Sequence, residues 1–340
     1  MKRDCCGDDS GEDHMHTCFA LRETLCMILE WANQGTVMRR ESVTLMRISH
    51  HFLDAFVAII TDIPVSGFRL DCLPRYKNLR VLRMEGIPIP LTTVRALTRL
   101  EKLIIQNPYY CGSSWDMDYD GVLQSIDHLT ELHVYDAHQA VSTQTMLHLQ
   151  TTLRCLTLKE NRLSAEPDMG LLTGLASLTL IGRCGVRDHT LQQLTQLNSL
   201  LLANNGDITD ASLSRLTALT VLGLGGTSTI TDHGLHGLTS LTALDLSCNN
   251  SITDVGLSGL TALQILELDN NKKITRDGVL PLRDSLLYLD ISACTGVLLE
   301  DAKEFTRLQK LIVANMGIPR RILLHRLEGM FPSSVTVLIK

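Results

Sequence analysis

The sequence predicts an α/β solenoid, in which a short strand and a short helical segment alternate along the chain. Three observations carry this. An LxxLxL pattern returns at a fixed step. Within each copy the apolar residues alternate as they do in a strand. Between the copies a phrase of the form ITDxGLxxL sets leucines three residues apart, on one side of a helical turn.

The step comes first, because a missed repeat misreads the fold. The first apolar residue of the pattern falls at Leu153, Leu175, Leu197, Leu219, Leu241, Leu263, Leu286 and Leu308, at steps of 22, 22, 22, 22, 22, 23 and 22. The single 23 lies where "ITRDGVL" (274–280) carries one residue more than "ITDVGL". Looser copies begin at Leu79, Leu100 and Leu129, with steps of 21, 29 and 24. In "LTALDLSCN", Leu244 and Leu246 alternate with Ala243, Asp245 and Ser247, which puts leucines on one face of a strand and the other residues on the opposite face. Asn249 follows, with Asn161, Asn205 and Asn271 in the same place. An amide there can satisfy backbone groups where the chain leaves the strand. Thr227 and Arg183 stand at two other asparagine positions, and Cys248 one place before another. Thr231 or Asp232 can cap the short helix, and Leu235 and Leu238 turn back toward the strand layer. One such unit cannot bury its apolar face alone, so stacked units bury it against each other.

The motif Leu263-x-x-Leu266-x-Leu268-x-x-Asn271 resembles the leucine-rich-repeat family over about residues 79–316, irregularly over 79–152 and regularly over 153–316. The resemblance implies a horseshoe with a curved parallel sheet inside, short helices on the convex side and caps at both ends. The "ITDxGL" phrasing further resembles kinetoplastid leucine-rich-repeat proteins, some labelled as adenylate-cyclase regulators, and the cysteine-type repeats of F-box proteins.

The ends depart from this grammar. Residues 1–17 read as a mobile acidic tail; Cys5, Cys6, His14, His16 and Cys18 match no standard metal cage. Residues 18–78 are expected to form a helical N-terminal cap or an F-box-like module. In "FALRETLCMILEWANQ" Leu21, Leu25, Ile28 and Leu29 share a helical face, and in "ESVTLMRISHHFLDAFVAIIT" Leu45, Ile48, Phe52 and Phe56 do the same. "LMRISHHFLDAF" resembles the F-box, which docks on the adaptor of a cullin-type ubiquitin ligase, although "LRETL" stands where that module opens with Leu-Pro. Residues 317–340 read as a closing cap, with a helix near Ile322–Leu327, Gly329 near its end and a final strand in "SVTVLIK". Such a cap leads us to expect a chain complete at that end.

Composition narrows the function. The 340 residues carry a net charge of -6 and are 44% hydrophobic but only 4% aromatic, so the core is aliphatic. The acidic balance argues against nucleic acid as the main partner. No apolar run approaches the roughly 20 residues of a membrane span. The first residues lack a signal-peptide core, so a cytoplasmic or nuclear location follows, with the ten cysteines as thiols. No CxxC pair occurs, and without a signal sequence the sequon Asn249-Asn250-Ser251 reads as chance. No GxxxxGK[ST], GxSxG, HExxH or DxDxDG pattern occurs; "GLGGT" (223–227) lacks the lysine of a phosphate loop, and His233 and His236 read as surface residues. The expectation is a non-enzymatic protein-interaction module or scaffold without cofactor or metal.

Candidate contact residues come from the strand register. The central outward position reads Arg83, Ile104, His133, Thr157, Thr179, Leu201, Gly223, Asp245, Glu267, Asp290 and Ile312. Asp245, Glu267 and Asp290 form a carboxylate ladder, with Asp269 in the next column. Like charges at ~5 Å repel by about 1–3 kcal/mol at effective dielectrics between 80 and 20, and a basic partner segment would offset this; splayed, solvated side chains would also relieve it. Ile181, Leu201, Ala203, Val221, Gly223 and Gly225 form an apolar centre beside it. The 29-residue step contains "QNPYYCGSSWDMDYDG" (106–121), whose Tyr109, Tyr110, Trp115 and Tyr119 either contact a partner or plug an irregular repeat. The expected partner is therefore a protein with a basic segment, held on the concave face. A ubiquitin ligase adaptor bound through residues 18–62, or a signalling enzyme such as adenylate cyclase, gives the alternative roles. An enzymatic reading would rest on Asp245 and Glu267 by proximity alone.

Overall fold

The computed structural model describes residues 62–64, 77–85, 91–106, 119–135, 142–160, 169–227, 229–315 and 317–339. The chain divides into two units, Met1–Ile60 and Thr61–Lys340, and every described residue lies in the second. The expectations for the acidic tail and for the helices of residues 18–61 fall outside the described residues.

From Val81 on, strand and helical segment alternate as the repeat predicts, with 3₁₀ turns at Met169–Leu171 and Asp301–Glu304 in place of two of the helices. The order is β1 (Asp62–Pro64), β2 (Val81–Glu85), α1 (Leu91–Arg95), β3 (Lys102–Gln106), α2 (Tyr119–Leu123), β4 (Glu131–Tyr135), α3 (Thr143–Leu149), β5 (Cys155–Lys159), β6 (Ser177–Ile181), α4 (Asp188–Leu191), β7 (Ser199–Ala203), α5 (Asp210–Leu213), β8 (Val221–Gly223), α6 (Asp232–Leu235), β9 (Ala243–Asp245), α7 (Asp254–Leu257), β10 (Ile265–Glu267), α8 (Arg276–Val279), β11 (Tyr288–Asp290), β12 (Lys310–Val313), α9 (Arg320–Leu327) and β13 (Thr336–Ile339). The 13 strands among the described residues form one sheet in chain order, and all pairs are parallel, from β1 with β2 to β12 with β13. The sheet thus begins one strand before the first repeat read from Leu79. This is a curved α/β solenoid, with the strands on the concave side and the short helices on the convex side.

The inward strand residues explain its stability. Leu200, Leu222, Leu244, Leu266, Leu289 and Leu311 are 0–1% exposed, and each contributes about 1.5–3 kcal/mol by leaving water. Leu235 and Leu238 of the convex segment are each 1% exposed and close the same layer. The extra residue of the 23-residue step leaves the strand register intact, with Leu266 opposite Leu289. It is absorbed on the convex side, where α8 runs straight into a 3₁₀ turn, Leu280–Leu282.

Two polar ladders hold consecutive repeats. Along the first, Asn249 Nδ2 donates to the carbonyls of Leu224 (3.1 Å) and Thr227 (2.7 Å), and its Oδ1 accepts from the amides of Ser251 and Ile252. Asn271 repeats this one unit on, and Thr227 donates its hydroxyl to Leu202 O. Arg183 does not fill the asparagine seat. Cys184, one residue later, is fully buried and points its thiol at Leu158 O and Ile181 O, because a charged guanidinium could not be desolvated there without a partner. Immediately before the seat the backbone turns left-handed, at Glu160, Gly182, Asn204, Gly226, Cys248, Asn270, Ala293 and Asn315. This conformation lets the amide of Asn204 reach Gly225 O and that of Cys248 reach Asp269 O in the next repeat.

The second ladder runs along the helix starts. Thr231 caps α6 by accepting from His233 N, so the threonine, not Asp232, is the cap. Asp232 instead reaches the following repeat, where both its oxygens accept from Thr253. The same link joins Asp188 to Thr209, Asp210 to Thr231 and Asp254 to Thr275. It ends at Arg276, which stands where the aspartate would be and turns to Asp301 and Glu304.

Candidate functional site

Period-two geometry leaves half of each strand facing the open side of the sheet, and the register brings these residues into columns. Leu201 pairs with Gly223, Gly223 with Asp245, Asp245 with Glu267, and Glu267 with Asp290. Neighbours along the column are thus about 4.8 Å apart, as the sequence spacing requires.

The three carboxylates differ in setting. Asp245 and Glu267 are half-buried, as is Asp269 in the next column. Asp290 is only 2% exposed, so the accessible part of the ladder is Asp245, Glu267 and Asp269. Asp245 Oδ1 accepts from Ser247 N at 2.8 Å, and Asp290 Oδ1 from Ser292 N at 2.8 Å. These two aspartates therefore also hold the backbone at the exit of their own strands. That local bond helps to compensate for the repulsion within the column. In the column before them, Lys310 Nζ stands 5.2 Å from the centre of the Tyr288 ring, a cation held by an aromatic face.

The apolar centre is a packed step. Leu201 is 38% exposed, and Ile181 and Ala203 are half-buried. A Cβ on Gly223 would lie 2.6 Å from Leu201 Cδ2. The absent side chain is what lets Leu201 lie across β8. Beside it, Asp245 Oδ2 and the Ser247 carbonyl flank Gly225. An apolar shelf and a carboxylate thus share one edge.

A further cluster lies toward the N-terminal strands, unread in the sequence. Lys102 Nζ pairs with Glu131 Oε2 at 2.7 Å, and His133 Nε2 stands 3.6 Å from the same oxygen. His133 Nδ1 is 2.9 Å from Thr157 Oγ1, and its ring stacks on Tyr135 at 6.4 Å. The hydrogen bond from Lys102 lowers the pKa of Glu131. Burial, reinforced by Lys102, lowers that of His133, which keeps the imidazole neutral. Burial raises the pKa of the Cys155 thiol, which removes thiolate character and hence nucleophilicity. His133 and Thr157 were adjacent in the column as read; the signal missed was the Lys102–Glu131 pair two residues before.

Of the aromatic residues expected to form a contact loop, Tyr109, Tyr110 and Trp115 lie outside the described residues. Tyr119 opens α2 and is half-buried, and burial raises the pKa of its hydroxyl. Asn249 of the sequon is 1% exposed with its amide fully engaged, so no glycan can be attached in this fold. Among the described residues no group of three or more His, Cys, Asp or Glu could hold a metal, and no helix is long and apolar enough to cross a membrane.

Fold and site together define a parallel-sheet repeat solenoid with an open concave face. The sequence profile described as Leucine Rich repeats (2 copies) matches residues 239–281. The fold is similar to a chain in the crystal structure of the Rad7 and Elc1 complex in yeast, at 15% identity and a TM-score of 0.56, over 97% of this chain and 95% of that one. It is also similar to an internalin from Listeria monocytogenes, at 19% identity and a TM-score of 0.55, over 87% of this chain and 92% of that one. No curated protein matches the sequence. Residues 239–281 carry leucine-rich repeats, and the fold is that of a leucine-rich-repeat solenoid.

Proposed function

We propose that this chain is a non-enzymatic interaction module that holds a protein partner on its concave face. The observation that carries the reading is the junction of Leu201 with Asp245 and Glu267. An exposed leucine laid over a glycine borders two in-register carboxylates. An apolar anchor beside a charged row fits a partner segment with an apolar residue next to lysine or arginine. The surface is preformed, since main-chain ladders and buried leucines fix every strand that carries it. The test is affinity capture by the full chain, followed by binding measurements on each captured protein. Replacing Asp245 and Glu267 together by Asn and Gln should weaken a basic partner at least tenfold and flatten its salt dependence. Unchanged affinity and salt dependence would refute the basic-partner reading, and substrate turnover by the purified chain would refute the non-enzymatic one.

The likeness to a chain of the Rad7 and Elc1 complex favours a second reading, in which the repeats recognise a substrate and residues 18–62 dock a ubiquitin ligase adaptor. Capture by the full chain and by a chain lacking residues 1–62 separates the two. An adaptor lost on truncation supports the second reading, and its absence from both samples removes it.

A further inference from the structure

Among the described residues the core is sealed from β2 to β12 and exposed at β13. In β2–β12 each pair of inward apolar residues, from Leu82 and Met84 to Leu311 and Val313, is no more than 2% exposed. In β13, the last strand of the sheet, the inward Val337 and Ile339 are half-exposed, and the outward Leu338 is 40% exposed. α9, the helix before it, buries only Leu323 and leaves Ile322 at 48% and Leu324 at 51%. A cleft of about 540 Å³ opens between them, lined by Leu324, His325, Leu327, Glu328, Val337 and Ile339. Among the described residues β13 is the edge strand of the sheet, and an edge strand can pair with another strand.

The charges on α9 identify what covers this end. Leu324, His325 and Glu328 border the cleft and are exposed, so they share one solvent-facing side of α9. Arg321 lies seven residues before Glu328, two helical turns away, on that same face. A basic and an acidic group thus stand at opposite ends of one exposed face, about 10 Å apart along the axis, with Leu324 between them. A two-fold axis normal to the sheet would set this face antiparallel to itself. Arg321 of one copy would meet Glu328 of the other, twice over, and Leu324 would meet its own counterpart. The same axis pairs β13 antiparallel with β13 of the second copy, a pairing that needs no change of backbone. The geometry points to a second copy of this chain as the partner of the open end: a two-fold dimer through β13 and α9 that continues the sheet and leaves the concave face free. This assignment stands apart from the proposed function, since none of Leu201, Asp245 and Glu267 takes part.

Sedimentation of the full chain over a concentration series, with circular dichroism to confirm folding, tests it. The wild type should dimerise. Glu328→Arg sets Arg321 against an arginine, and Arg321→Glu sets Glu328 against a glutamate. Each alone should weaken dimerisation at least tenfold. Mixing the two variants should restore a dimer, because both cross-contacts then join opposite charges. A wild type that stays monomeric overturns the assignment. So does a dimer that neither substitution weakens, or two weakened variants that fail to associate when mixed. If wild-type chain stays monomeric yet binds an unrelated apolar β-strand peptide at this edge, the occupant is another protein and the assignment is likewise overturned.

Discussion

Asp232 and Thr253 are joined across two repeats by a pair of hydrogen bonds: the Thr253 hydroxyl donates to Oδ2 at 2.7 Å and its backbone amide to Oδ1 at 2.8 Å. Thr253 in turn caps α7 by accepting from Val255 N. One carboxylate therefore orients the cap of the next helix. Asp232→Ala should cost about 1–3 kcal/mol, the range for losing bonds to a charged group. Asp232→Asn should cost less, because its carbonyl oxygen still accepts the amide while its nitrogen cannot accept the hydroxyl proton. Urea unfolding of the three proteins checks the order; equal midpoints for Asp and Ala would show that the ladder carries no stability.

Asn249 should be the costlier loss. Its amide serves two carbonyls and two backbone amides in a site that is 1% exposed. Asn249→Ala removes a partner from all four; the Leu224 carbonyl keeps the Thr227 amide, and each buried group left without a partner costs about 1–3 kcal/mol unless water enters. A destabilisation of at least about 3 kcal/mol is expected by thermal or urea unfolding. Cys184→Ala at the equivalent seat should cost less, since a thiol is a weak donor with one proton to share between the carbonyls of Leu158 and Ile181.

These two ladders show where the sequence was readable. The leucine step is a period imposed by burial, so it survives as letters, and it predicted the strands, their register and the concave columns. Asn249 and Asn271 were readable for the same reason: a short amide donates to two carbonyls and accepts from two amides there, which a hydroxyl with one proton cannot do. Arg183 was misplaced because the repeat slips by one residue there, and spacing alone cannot say which side chain turns inward. The task of Asp232 was hidden because its partner is 21 residues away, and a helix-cap motif is written locally. At the site, the row of carboxylates was legible, but the burial of Asp290 was not, since burial depends on what packs around a residue and not on its own column. The His133 cluster was missed because its members come from three strands and recur in no other repeat.

The glycines separate a functional from a structural constraint. A Cβ on Gly223 meets only the tip of Leu201, which can rotate away. Gly223→Ala should change stability by less than about 1 kcal/mol while displacing Leu201 and altering partner binding. A Cβ on Gly296 would meet the backbone carbonyl of Ile274, which cannot yield without moving the convex turn. Gly296→Ala should cost at least about 2 kcal/mol. Paired unfolding and binding measurements decide the matter. A strongly destabilised Gly223→Ala would show that its side-chain-free surface is a packing requirement and not a feature of the contact face.

The His133 cluster should make the N-terminal strands sensitive to acid. Burial and Lys102 lower the pKa of His133 in the fold, so the unfolded chain takes up a proton first as pH falls. The neutral imidazole contributes its full stability above the unfolded value of about 6.5. That contribution is lost progressively below this value and down through the lower folded one. Glu131 acts at lower pH with the same sign. Its hydrogen bond to Lys102 depresses its folded pKa, and it loses its contribution as the pH falls through the carboxylate range. His133 faces both groups and no others are resolved in its shift. His133→Gln keeps a donor and acceptor toward Thr157 but cannot be protonated. Its melting temperature should therefore fall less than that of the wild type between pH 7.5 and 5.5, a window about one unit either side of the unfolded histidine value. Parallel slopes for the two proteins across that window would remove His133 as the source of the acid sensitivity and leave Glu131 and the other carboxylates to account for it.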